Sequence, residues 1–382
     1  MNIITKKMNL PDGREITVQT GKLAKQSDGA VEVRIGNTVL LATAVAAKEA
    51  KPGVDFMPLT IDYREKYAAA GKFPGGFFKR EARPSEYEIL TMRLVDRALR
   101  PLFPEDFHAD TQVMIQLLSA DENMADSLAC FAASAALACS DIPFETPVSE
   151  VRISRVNGEF VINPTYEQNE IADMDMVIAG TKDSIMMVEG EMSEISEAEM
   201  IDAIKTAHEV IKQQVALMAE FTTELGKETK REYSHETHDE AVEAKIKAAV
   251  NDKCEAIARD GHADKELRGK LFGEVKQSYI DSLSEEELEV EGQFISVYFK
   301  KAQKAAVRNV ILNEKKRLDG RQTTEIRPIW SEVNYLPSCH GSAVFTRGET
   351  QSLTTLTLGG KKDEQKFDGA VEEKTQNFTL HY

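Results

Sequence analysis

The feature that most constrains this chain is a domain opening that occurs twice. Residues 29–45 read Gly-Ala-Val-Glu-Val-Arg-Ile-Gly-Asn-Thr-Val-Leu-Leu-Ala-Thr-Ala-Val, and residues 341–357 read Gly-Ser-Ala-Val-Phe-Thr-Arg-Gly-Glu-Thr-Gln-Ser-Leu-Thr-Thr-Leu-Thr. Both are β-branched strand pairs around a tight turn, Gly36-Asn37-Thr38 in one and Gly348-Glu349-Thr350 in the other. An ungapped alignment keeps five of the seventeen residues, and the flanks agree. Asp12-Gly13-Arg14 precedes the first stretch and Asp319-Gly320-Arg321 the second; Pro58-Leu59-Thr60-Ile61-Asp62-Tyr63 downstream is matched by Asn377-Phe378-Thr379-Leu380-His381-Tyr382. Three blocks in one order indicate duplication of a whole domain, not a short solenoid repeat. The first copy continues and the second stops, so the sequence reads as the front portion of a larger duplicated protein.

Past the matched blocks, the spacing predicts a helix that begins near Ser85, with Glu88 completing a capping box, and ends at Arg100-Pro101. A strand over about 111–118 follows, then the Ala/Ser-rich run 124–139, whose small residues suit a helix packed closely on a sheet. Asn157-Gly158, between two β-branched runs, is a strong hairpin signal. A further strand pair falls at 176–179 and 185–188. A helix from about Ser196 closes the domain with the apolar stripe Ile201, Ile204, Ile211, Val215 and Met218. The expected fold class is α+β, hairpins with helices on one face, over 1–218. Residues 219–310 turn to Glu, Lys and Ala with almost no strand signal, which predicts an all-helical linker domain; 311–382 then start the second copy.

A hydrophobic content of 42% over 382 residues suffices for two or three cores. No run of about eighteen apolar residues occurs, and the N-terminus lacks the apolar centre of a secretory signal, so the expected location is the cytoplasm, without a membrane partner. Cys130, Cys139, Cys254 and Cys339 show no CxxC pairing and read as reduced structural thiols. The net charge of −17 excludes a broadly basic surface, so nucleic acid could be met only at a concentrated basic patch.

Such a patch is encoded at Gly71-Lys72-Phe73-Pro74-Gly75-Gly76-Phe77-Phe78-Lys79-Arg80-Glu81-Ala82-Arg83, where two adjacent aromatics and four cations sit in a glycine-broken loop. Bases stack on aromatic faces while Lys and Arg meet phosphates, so this is a platform for single-stranded nucleic acid; the alternative is a hairpin tip whose Phe pair enters the core. Arg93, Arg97 and Arg100 share one helix face, either extending a phosphate track or pairing with Glu86 or Asp96. Motifs for phosphate loops, dinucleotides, HExxH zinc sites and GxSxG nucleophiles are absent. His235 and His238 have no third ligand nearby and read as surface residues, and Asp121-Glu122 and Glu285-Glu286-Glu287 read as helix-start carboxylates.

Phe77-Phe78-Lys79-Arg80-Glu81-Ala82-Arg83-Pro84-Ser85-Glu86, Arg97-Ala98-Leu99-Arg100-Pro101-Leu102-Phe103-Pro104, Leu318-Asp319-Gly320-Arg321 and His340-Gly341-Ser342-Ala343-Val344-Phe345-Thr346-Arg347-Gly348-Glu349-Thr350-Gln351 resemble polynucleotide phosphorylase of the bacterial type, over essentially the whole chain. The resemblance implies two RNase PH-like core domains (ribosomal protein S5 domain 2-like) joined by a helical domain and followed by KH and OB-fold domains. It further implies a homotrimeric ring through which single-stranded RNA threads. Inorganic phosphate would attack the last 3′ linkage and release nucleoside diphosphates: a reversible nucleotidyltransferase and 3′-to-5′ exoribonuclease of mRNA degradation, with degradosome-type partners. Phe77, Phe78, Lys79, Arg80 and Arg83 match the family's RNA-gripping loop; its usual third residue is Arg, so Lys79 keeps the charge and loses the bidentate fork. Arg321 and Arg347 match basic positions near phosphate and the RNA 3′ end, with structural ion pairing as the alternative, and Arg100 matches a weaker one in the first domain. The phosphate-holding serines and the aspartates for Mg2+ would lie past Tyr382, so this chain would bind RNA weakly without phosphorolysing it. Two other readings stay open: a non-catalytic RNA-binding ring subunit, and a hydrolytic nuclease.

Overall fold

The computed structural model describes residues 3–51, 54, 56–75, 81–144, 146–233 and 238–381. Its contacts group Met1–Glu236 with Lys361–Tyr382 as one unit and Thr237–Gly360 as another. The first unit opens with β1 (Ile4–Asn9), β2 (Glu15–Thr20), β3 (Gly29–Ile35), β4 (Thr38–Ala46) and β5 (Leu59–Glu65). Period-2 alternation sends Val31, Val33 and Ile35 of β3, and Leu59, Ile61 and Tyr63 of β5, into the core. Helix α1 (Glu86–Leu99) carries the capping box of Ser85 and Glu88 that the sequence predicts, and leads to β6 (Thr111–Ser119). Because β5 and β6 pair in parallel, the chain needs a crossover between them, and α1 is that crossover. The sheet runs β1-β2-β3-β4-β6-β5.

One 3-10 turn over Ala125–Leu128 precedes α2 (Ala129–Ala138), all ten residues of which are buried. Small side chains let it approach closely: a Cβ on Gly29 of β3 would lie 2.0 Å from the Ala136 carbonyl oxygen. Next come β7 (Ser149–Val156), β8 (Glu159–Ile162), α3 (Tyr166–Glu170), β9 (Met174–Gly180) and β10 (Ile185–Met192), with sheet order β10-β9-β7-β8. Asn157 and Gly158, both at positive φ, make the tight turn of the predicted hairpin. Helix α4 (Glu197–Leu225) closes the run. Helix α2 packs against β3, β4 and β6 of the larger sheet and β7 of the smaller. Of the predicted stripe on α4, Ile211 and Met218 are fully buried, whereas Ile201 in the first turns is 50% exposed and lies outside the buried stripe Ala203–Ala207–Val210–Ile211.

The second unit holds α5 (Glu240–Asp260), α6 (Lys265–Ile280) and α7 (Glu285–Glu314), packed around Ile246, Val250, Cys254, Phe294 and Tyr298. Strands β11 (Ile329–Val333), β12 (Gly341–Arg347) and β13 (Thr350–Leu356) follow as one antiparallel sheet. A two-stranded ladder, β14 (Gln365–Asp368) and β15 (Glu373–Gln376), belongs to the first unit.

Local geometry bears out the duplication. β12 and β3 occupy aligned positions, and Gly36 and Gly348 in the following turns have φ of 56° and 61°. Gly13 and Gly320 both sit at φ 89°. Leu10 N–H donates to the Arg14 carbonyl and Arg317 N–H to the Arg321 carbonyl, each at 2.8 Å. The copies part where packing partners differ. β3 and β4 are covered by α2, whereas Phe345, Leu353 and Leu356 on β12 and β13 are exposed. The counterpart of β5, residues 377–381, is irregular, and no described strand stands beside it as β6 stands beside β5.

Candidate nucleic-acid interface

Phe77, Phe78, Lys79 and Arg80 lie outside the described residues; the two ends of their loop do not. After β5 the chain makes one 3-10 turn, Tyr67–Ala70, which Gly71 ends at φ 66°. Glu81, on the far side of the loop, accepts hydrogen bonds from Tyr67 N–H at 3.1 Å and Lys66 Nζ at 3.3 Å. Glu88 accepts from Glu65 N–H at 2.8 Å through one oxygen and from Ser85 N–H at 2.6 Å through the other. The capping box that starts α1 therefore also ties the helix to the end of β5, and two carboxylates close the loop at its base.

The basic residues around this base divide by their engagements. Lys72 donates to the Gly369 carbonyl at 3.2 Å and lies 3.3 Å from a Glu373 oxygen. Arg83 is exposed and forms no ion pair among the described residues; Phe73 is 88% exposed. On α1, Arg97 pairs with Glu189 at 2.5 Å. Arg100 makes a two-pronged bond to Asp96, at 2.9 and 2.6 Å, and donates to the Met57 and Leu59 carbonyls, buckling the helix end to the start of β5. Arg93 is exposed and unpaired among the described residues. The helix face foreseen from spacing thus resolves into one open and two engaged arginines.

Beside the loop base lies a cleft of about 670 Å³, bounded by Arg64, Arg83, Tyr87, Tyr166, Lys366 and Phe367 among others. Burial pushes the Glu65 carboxyl up to about 7, although Tyr63 O–H donates to it at 2.7 Å. Burial also holds the Tyr63 and Tyr87 hydroxyls well above their ordinary pKa, and the buried Tyr87 hydroxyl has no hydrogen-bond partner among the described residues. Deeper still, the Arg152 guanidinium is clamped between Asp126 and Asp175, and Asn169 donates to Asp175 at 2.9 Å. Burial opposes the charge on Arg152, and the two carboxylates outweigh it, so its pKa stands above the usual arginine value. Spacing missed this group because its members come from β5, α1, β7, β9 and the turn before α2, and the polar and apolar residues of β7 alternate like those of a half-exposed strand although six of its eight are buried.

Arg321 and Arg347 are placed in the second unit. The Arg321 guanidinium contacts Asp319 at 2.9 Å and donates to the Glu325 carbonyl at 2.9 Å. Arg347 ends β12 exposed and without an ion pair among the described residues. Arg327, which the sequence reading passed over, lies between them: its side chain would meet a Cβ on Gly348 at 2.9 Å, and it reaches Asp319 at 3.4 Å. In the first copy Arg14 likewise pairs with Asp12 at 2.6 Å, and then reaches Asn123 at 2.7 Å and the Ile162 carbonyl at 2.9 Å.

The acidic clusters, histidines and cysteines take the following places. Asp121 is not at a helix start: it accepts from Asn37 N–H at 2.7 Å and Thr38 O–H at 2.6 Å and so pins the β3–β4 turn, while Glu285–Glu287 do open α7. His238 is exposed, and His235 lies outside the described residues. All four cysteines are free. Among the described residues no three His, Cys, Asp or Glu side chains converge as a metal site, and no helix is long and apolar enough to cross a membrane.

Family models agree with this organisation. The 3′ exoribonuclease family, domain 1, matches residues 12–143 and 325–382; the same family's domain 2 matches 146–210; and the polyribonucleotide nucleotidyltransferase RNA binding domain matches 241–322. The polyribonucleotide nucleotidyltransferase of Phocaeicola vulgatus is 56% identical over the whole of this chain and 54% of its own length, and that of Bacteroides fragilis is 57% identical over the same shares. That of Cytophaga hutchinsonii is 56% identical over all of this chain and 53% of its own length. This chain therefore spans about half the length of the curated relatives it matches. The crystal structure of rice (Oryza sativa) Rrp46 aligns at TM-score 0.46 and 14% identity over 55% of this chain and 95% of that one. With matches to both exoribonuclease domains and the RNA binding domain, and with more than half of its residues shared with each of these relatives, the chain belongs to the polyribonucleotide nucleotidyltransferase family.

Proposed function

We propose that the chain is the RNA-engaging front part of a 3′-to-5′ exoribonuclease that works by phosphorolysis. The observation that carries this is the basic aromatic loop between β5 and α1, closed at its base by Glu81 and Glu88, in a chain 56% identical to polyribonucleotide nucleotidyltransferase from end to end. Phe77, Phe78, Lys79, Arg80 and Arg83 grip single-stranded RNA by stacking and phosphate contact. Arg321 and Arg347, with Arg327 beside them, face the phosphate and the 3′ end. Arg100 joins the track only by giving up Asp96 and two carbonyls. Domains at 1–218, 219–310 and 311–382 form part of the same reading.

In the reaction, an inorganic phosphate oxygen bonds to the phosphorus of the last linkage as the 3′ oxygen of the preceding nucleotide leaves with a proton, releasing a nucleoside diphosphate. When bound, magnesium would stabilise charge on that phosphoryl group. The working form is a cytoplasmic homotrimer with degradosome-type partners in mRNA turnover. The test is nucleotide release from poly(A): this chain binds poly(A) and releases no ADP, and the full-length protein releases ADP only when phosphate is added. AMP without phosphate would instead mark a hydrolytic nuclease, and no release from the full-length protein an inert ring subunit.

A further inference from the structure

The strand pair β14–β15 belongs by sequence to the second copy, yet its turn is fastened to the segment that enters the basic loop of the first. Gly369 N–H donates to the Glu372 carbonyl at 2.9 Å and closes the turn. Tyr67 O–H donates to the Asp368 carbonyl at 2.6 Å, Lys72 donates to the Gly369 carbonyl at 3.2 Å, and the Lys72 ammonium meets Glu373 at 3.3 Å. Ala370 is 5% exposed, and Val371 packs on the main core, so the tip is seated as well as bonded. The attachments fall at both ends of the 67–72 segment, and the turn around them carries Asp368, Glu372 and Glu373. Glu372 is paired with Lys374 at 2.7 Å, and Glu373 with the Gly369 carbonyl engages two of the three Lys72 donor positions.

We propose that the β14–β15 hairpin is a tether that fixes the approach to the RNA loop, with Lys72 and Glu373 as positioning residues, Lys72 being held by protein and not by a phosphate. This rests on the RNA-binding reading above. The physical gain is pre-ordering: a loop whose entry is already fixed loses less conformational freedom when a ligand engages it. Exposed ion pairs contribute little each, so the effect of one reversal is a few-fold in affinity.

Charge reversal separates a tether from a phosphate contact. In the 382-residue chain, K72E, E373K and the double reversal are compared for binding to labelled oligo(A) by fluorescence anisotropy, and for hydrogen exchange of the amides at 67–75. A tether predicts that each single reversal weakens binding about three- to fivefold and speeds exchange, and that the double, with the parent's net charge, recovers both. A direct phosphate contact predicts weaker binding for K72E, tighter binding for E373K, and no recovery of exchange protection in the double; that pattern overturns the tether. Normal exchange at 67–75 in both single variants overturns it equally. If the parent does not bind oligo(A), the RNA-binding reading fails and the positioning role with it, while the exchange data still report whether the hairpin holds the segment.

Discussion

Gly261 and Gly320 meet backbone to backbone: a Cβ on Gly320 would lie 2.8 Å from the Gly261 carbonyl oxygen, and one on Gly261 would lie 2.6 Å from the Gly320 Cα. Gly261 ends α5 and Gly320 is the centre of the Asp319-Gly320-Arg321 turn, so this contact seats the opening of the second copy on the helical domain. Gly13, its equivalent in the first copy, has the same φ of 89° but nothing within 4 Å of its Cβ position. Gly13→Ala is therefore expected to cost only the left-handed strain, about 1 kcal/mol, and Gly320→Ala that strain plus a backbone clash, about 2–4 kcal/mol. Urea denaturation of both variants checks the difference; equal losses would show that the Gly261 contact carries no weight.

Glu65 gives a pH dependence. Its carboxyl is raised from 4.5 to about 7 by burial, and Asp126, Glu88 and Glu372 add to that. The folded protein thus holds a proton that the unfolded chain has released between those values. Stability contributed by this group falls as pH rises from about 4.5 to about 7 and is flat above, a loss of up to about 3 kcal/mol. Glu65→Gln keeps an oxygen for Tyr63 and removes the titration. Its melting temperature should match the parent's near pH 5 and exceed it at pH 8. A difference that does not vary with pH would contradict the assignment.

Arg152 compensates two carboxylates in the core, and Asp126 already has one buried oxygen without a hydrogen bond among the described residues. Arg152→Met should destabilise the first unit by about 3–5 kcal/mol, because Asp126 and Asp175 would be left facing each other without a counter-charge. Adding Asp126→Asn should recover part of the loss. Denaturant titration of the single and double variants measures the coupling.

Arg83 and Arg100, both proposed above as candidates for RNA contact, should behave differently. Arg83→Ala, at an exposed side chain with no ion pair among the described residues, is expected to leave the melting temperature unchanged. Poly(A) affinity should weaken, with the slope of log K against log salt reduced by about one. Arg100→Ala removes the buckle to Asp96, Met57 and Leu59, and is expected to cost about 1 kcal/mol of stability while keeping the slope. A reduced slope for Arg100→Ala would place it on the phosphate track instead.

Local signals proved legible wherever their cause is local. Ser85 and Glu88, and Asn157-Gly158, specify a cap and a turn within a few residues, and the structure has that cap and that turn. Ile201 shows where periodicity misleads: helical spacing alone cannot say which of several apolar positions meets a sheet. Asp121 shows it again, since nothing near it in sequence reveals that its carboxylate would pin a turn more than eighty residues earlier. The Glu65 and Arg152 cluster was invisible for the same reason, as its side chains converge only when β5, α1, β7 and β9 are packed.

The sequence by itself determined the duplication, the α+β class, the helical insert and the basic aromatic loop, because each is written in contiguous residues or in a repeat of them. Tertiary structure decided which of the other cations remain open. Arg100 and Arg321 are paired with Asp96 and Asp319, which lie beside them in the chain, but Lys72 and Arg97 are met by Glu373 and Glu189 from distant segments, and Arg83 and Arg93 stand exposed. Charge is a property of the residue; its availability depends on which opposite charge the fold sets within about 4 Å, and spacing along the chain encodes that distance only for near neighbours such as Asp96 and Arg100.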